Sequence, residues 1–178
     1  MRKQIIIENQ LSDSSQGDVY ISRTGQTSWV IHNLSTESSQ KAKLILLENA
    51  GPLFLCGVEK KWYQSCSYVK NSHLRKFEVE DVCGRGYRGH QFFEAYTEQQ
   101  LTALKEVLEK LVKKFSIPVD KKTFDYNCNH NNNKSIWYYN ERAVAGESGI
   151  YTINSFYHSF EGIAPLYKLI NTLKSIEV

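Results

Sequence analysis

Five histidines (His32, His73, His90, His130 and His158) and four cysteines (Cys56, Cys66, Cys83 and Cys128) are the obvious candidates for metal binding or thiolate chemistry. Zinc sites draw pairs of ligands from short stretches of one element, and a redox motif needs two cysteines two residues apart. No histidine pair has that spacing, and no Cys-x-x-Cys is present. The one close combination is Cys128 with His130, inside the asparagine-rich stretch Asn127 to Asn133. Asparagine tolerates turn geometry, so this stretch reads as an irregular surface loop. Four separated thiols fit a reducing compartment, with two disulfides as the alternative. Glu94, Glu98, Asp120 and Asp125 supply carboxylates, but near helix ends such groups serve as dipole partners or solvated surface. Gly84-Arg85-Gly86-Tyr87-Arg88-Gly89 has the composition of a phosphate cradle. A phosphate loop needs a helix to begin at once, whereas His90 to Tyr96 intervenes here. No Gly-x-Ser-x-Gly elbow occurs, so the residue types by themselves lean away from catalysis.

The element that organises the chain is Thr97 to Phe115, where Leu101, Leu104, Leu108, Leu111 and Phe115 alternate three and four apart along one helical face. Thr97 with Gln100 forms a capping-box pattern, each side chain able to satisfy a backbone N–H at the other position. Glu98 in the first turn, Lys110, Lys113 and Lys114 near the last, and Pro118 beyond mark the two ends. Ahead of this helix, Ile5 to Ile7 and Asp18 to Arg23 read as short strands, with Ser12 to Gly17 as a polar connection. Thr24-Gly25 then makes a tight turn into Thr27 to Ile31, giving a hairpin. His32 to Lys41 is polar loop. Leu44 to Leu47 is a continuous apolar run suited to a central strand covered on both faces, ended by Asn49-Ala50-Gly51-Pro52. Leu53 to Val82, with Phe54, Trp62, Tyr63, Tyr68 and Phe77, reads as a hairpin-rich excursion. After the long helix come Trp137, Tyr138 and Tyr139, a short strand at Ile150 to Ile153, and a terminal helix starting at Pro165. That last helix carries Leu166, Leu169, Ile170, Leu173 and Ile176 along one side. The expected class is α/β, a mixed central sheet flanked by helices in one domain spanning residues 1–178.

The chain is long enough to bury roughly 70% of its unfolded surface without cross-links. A net charge of +3, from 22 basic and 19 acidic residues, calls for neither nucleic acid nor an anionic membrane as partner. Met1 to Ile7 lacks an apolar stretch long enough for a signal peptide, and no transmembrane run is present. The reading is therefore synthesis in the cytoplasm.

Several phrases, taken in order, resemble the zinc-dependent N-acetylmuramoyl-L-alanine amidases, a family that includes phage amidase lysozymes and peptidoglycan recognition proteins. Tyr87-Arg88-Gly89, Phe92 to Thr97 and the helix through Phe115 with Ile117-Pro118 look like the segment leading into the family's main helix. Ala145 to Thr152 followed by Asn154-Ser155 looks like the strand that ordinarily reads Gly-Ile-Tyr-Thr-His-Asn-Ser and carries a zinc ligand. Asp18 to Gln26 resembles its Arg-Asp-Gly-Thr hairpin, and Leu47 to Leu53 its central strand and following loop.

The resemblance implies three zinc ligands, and this chain departs at each. Glu8 falls at or near the first, Ile153 takes the place of the second, and Gly162, ahead of Pro165, that of the third. An isoleucine cannot coordinate a metal, and a glycine offers no side chain to do so. Leu46 stands where the family has an acidic residue, and the long connection after the first strand is cut down to Ser12 to Gly17. The expectation is that Glu8, Ile153 and Gly162 cluster and that apolar neighbours close the space between them. No catalytic, cofactor or metal residue is assigned; a replacement site would have to draw on Glu8, His130 or His158. The resemblance thus implies a pseudo-amidase, an inactive fold kept as a structural or protein-interaction module, as in a phage virion or tail assembly. Its partners would be other proteins or further copies of itself. The alternatives are a non-catalytic peptidoglycan binder and an active amidase with an atypical metal site.

Overall fold

The computed structural model describes residues 3–10, 18–29, 42–48, 79–81, 87, 92–126, 134–158 and 163–178. Several expectations lie outside them: the loops at 12–17, 32–41, 49–52 and 127–133, the excursion over 53–78, and the glycine-arginine stretch apart from Tyr87. So do His32, His73, His90, His130, all four cysteines, and Gly162.

Seven strands are described: β1 (Gln4–Gln10), β2 (Val19–Ile21), β3 (Thr27–Trp29), β4 (Ala42–Glu48), β5 (Val79–Asp81), β6 (Phe92–Glu94) and β7 (Gly149–Thr152). Five of them form a mixed sheet in the order β3-β2-β4-β1-β7, parallel except for the antiparallel β2–β3 hairpin. Strands β5 and β6 pair separately as an antiparallel ribbon. The helices are α1 (Glu98–Phe115), α2 (Glu141–Val144) and α3 (Tyr167–Lys174). The expected mixed α/β class is observed, and β4 occupies the middle of the sheet as its apolar run implied. Ile45, Leu46 and Leu47 are all buried, which a strand covered on both faces requires.

Strand pairing places Val19, Ile45 and Ile7 in one row across the sheet, and Ile21 and Leu47 in the next. Ile5 and Ile7 lie beside Ile150 and Thr152 of β7. Cross-strand partners share a face. The apolar members of this face join Leu101, Leu104, Leu108 and Leu111 of α1, and Leu169, Leu173 and Ile176 of the chain end, in one core. Phe115 is only partly buried, its ring lying 3.9 Å below the Lys3 ammonium in a cation–π contact. Pro165 sits two residues before α3 rather than in its first turn, because Leu166 holds extended backbone geometry at the cap.

Both ends of α1 follow from local chemistry. Thr97 Oγ1 accepts from the Gln100 backbone N–H at 3.1 Å and donates to the Arg23 carbonyl. At the other end Ser116 adopts the left-handed conformation (φ 51°), and Ile117 N–H returns to the Val112 carbonyl at 3.1 Å. Val112 and Ile117 are both buried, the hydrophobic contact that accompanies such a C-terminal motif. Only half of the expected capping box forms. The fully buried Gln100 side chain does not turn back to Thr97; its Nε2 donates to the Glu48 carbonyl at 2.9 Å and the Ile21 carbonyl at 3.3 Å. The buried amide thereby ties the start of α1 to the ends of β2 and β4. Thr97→Ala is expected to lose about 1 kcal/mol by chemical denaturation, since it removes the cap and the tie to Arg23 together.

Candidate functional site

Parallel sheets present ligand sites at the carboxyl ends of their strands, and the positions singled out by sequence reach that end of β1 and β7. Ile7 pairs with Thr152; Glu8 follows within β1, and Ile153 is the first residue beyond β7, each one step past this last paired position. Glu8 also lies opposite the buried Leu46 of β4. Its carboxyl is half-buried, and no hydrogen bond or ion pair to it exists among the described residues. Desolvation raises its pKa above the ordinary value of 4.5.

A raised carboxyl pKa means that the folded chain holds the proton more tightly than the unfolded chain. The resulting stability is fully present below the unfolded pKa and is lost as the pH rises through the folded one. Glu8→Gln should therefore unfold at higher urea than the parent at neutral pH, and the difference should shrink toward zero below about pH 4.5. Urea midpoints measured across that range check this; a pH-independent difference would remove burial as the cause.

Beyond β7 the chain tightens into a 3-10 turn, Ile153–Phe156. Ile153 is half-buried and packs against the hydrophobic core. Asn154, next in line, is fully buried, and its Nδ2 donates to the Tyr87 hydroxyl at 2.6 Å and to the Ile163 carbonyl at 2.5 Å. The Tyr87 hydroxyl in turn donates to the Trp137 carbonyl. Thr152 and Ser155 both donate through their hydroxyls to the Ile136 carbonyl, the latter at 2.8 Å. Trp137, wholly buried, donates its indole N–H to the Phe124 carbonyl at 2.9 Å. Asn140 caps α2 through Oδ1 at 3.0 Å from the Arg142 N–H. These bonds bind segment 134–140, the end of β7 and the approach to α3 into one buried unit. Buried polar groups that satisfy one another in this way rigidify a fold.

Of the remaining sequence candidates, Leu46 and His158 lie among the described residues. Leu46 is buried beside Glu8 and supplies no acidic group. His158 is exposed and stacks on Tyr139, ring centroids 3.9 Å apart and planes 19° from parallel. Gly162 lies outside the described residues, one position before Ile163. Among the described residues, no three His, Cys, Asp or Glu side chains stand close enough together to hold a metal ion.

Two further hollows are lined by described residues. One, bounded by Asp120, Asn140, Arg142, Ser148 and Tyr151, has a volume of about 40 Å³, room for little more than a water molecule. Tyr151 there has a raised pKa, chiefly from burial, against the lowering influence of the Arg142 charge. The other, about 790 Å³, lies between the end of α1 and the final residues, with Lys110 and Lys113 offset by Glu109 and Glu177. It is at the wrong end for a strand-end site: Gln100 sets the start of α1 over the carboxyl ends of β2 and β4, whereas Lys3, just ahead of β1, contacts Phe115.

Comparison with known protein families, curated proteins and solved structures finds no match to this chain. The sequence reading did not foresee the roles of Gln100, Asn140 and Asn154. Asn154 belonged to a noted phrase, but only as the neighbour of a ligand position; Asn140 carried the one local signal, an N-cap residue before Glu141.

Proposed function

We propose that this chain is a pseudo-amidase, an amidase-like fold that no longer carries a zinc site and serves as a structural or protein-interaction module. A phage virion or tail assembly is the setting that the resemblance favours, with other proteins or further copies of the chain as partners. The observation that carries this reading is Ile153. Just beyond β7, where the family's ligand would stand, a half-buried side chain without donor atoms packs against the core. Two neighbours support it: Leu46 is buried where an acidic group would be needed, and Glu8 is a desolvated carboxyl that belongs to no cluster of three possible ligands among the described residues. The described residues therefore do not fit a zinc ion of the family's kind, which asks for three protein ligands and one open position. No helix among the described residues is long and apolar enough to cross a membrane.

Putting ligands back at the three positions tests the ancestry. The Glu8→His/Ile153→His/Gly162→Asp variant is expected to take up one zinc ion by elemental analysis after dialysis, while the parent chain takes up none. Circular dichroism would confirm that both are folded. A folded triple variant that ignores zinc would mean that the three positions do not converge, and the amidase reading would fall. Hydrolysis of a muramoyl peptide by the parent, abolished by chelator, would restore the active-enzyme alternative. Sedimentation of the parent with purified peptidoglycan would favour the non-catalytic binder instead.

A further inference from the structure

No further inference is drawn: the strongest candidate, the outer edge of strand β3 with its half-exposed Trp29 indole, is a strand edge for which nothing in the structure shows what covers it.

Discussion

Trp137→Ala is expected to lower the unfolding free energy by about 3–5 kcal/mol, the largest effect of any single change considered for this chain. The indole is wholly buried, so its removal forfeits the transfer free energy of a large apolar group and leaves a cavity that closely packed neighbours fill only in part. It also strands the Phe124 carbonyl, which accepts the indole N–H at 2.9 Å. Trp137→Phe separates the two contributions. It keeps most of the apolar ring and removes the donor, and should cost about 1–3 kcal/mol. Urea unfolding of both variants measures the difference. An alanine variant within about 1 kcal/mol of the parent would place the indole outside the core.

Gly25→Ala should be the second most damaging change, at about 3 kcal/mol, for two reasons that can be told apart. Gly25 closes the turn between β2 and β3 with φ +81°, a left-handed conformation costing a residue with a Cβ about 1–2 kcal/mol. Its position is also crowded: an added Cβ would stand 2.7 Å from the Gln99 carbonyl oxygen in the first turn of α1. Relief requires the hairpin to back away from the helix, which loosens the Thr97 bond to the Arg23 carbonyl and the Gln100 bond to the Ile21 carbonyl. Gly146 provides the control. It has a similar φ, +74°, but open space where a Cβ would go, so Gly146→Ala should show the conformational cost alone. Equal losses at the two glycines would mean that the hairpin does not press on α1.

Much of the fold could be read locally. The α1 stripe, its threonine cap and its end before Pro118 depend on residues within a few turns of one another, and all three are observed. The Thr24-Gly25 turn and the unbroken Leu44 to Leu47 run likewise report conditions that act within a few residues. Local patterns failed where a side chain chose between near and distant partners. In an isolated helix Gln100 would reach back to its own cap. In the fold its Nε2 instead donates to the Ile21 and Glu48 carbonyls at two strand ends remote in sequence, and its buried Oε1 has no hydrogen-bond partner among the described residues. Asn154 is a similar case: a turn-forming residue by type, it becomes a buried crosslink because Tyr87, remote in sequence, and the Ile163 carbonyl beyond the turn are both within reach of its amide.

For the candidate site the division is sharper. Residue identity alone determined that the side chain at position 153 has no atom able to bind zinc, since an isoleucine side chain is hydrocarbon in any fold. Whether Glu8 lies beside that position was undecidable from the chain, because more than 140 residues separate the two and hydrophobic patterning does not specify which strands pair. Parallel pairing of β1 with β7 sets each of them one residue past the last paired position, Ile7 with Thr152. Pairing of β1 with β4 put Glu8 inside the sheet, where withdrawal from water, and no property of glutamate itself, raises its affinity for a proton.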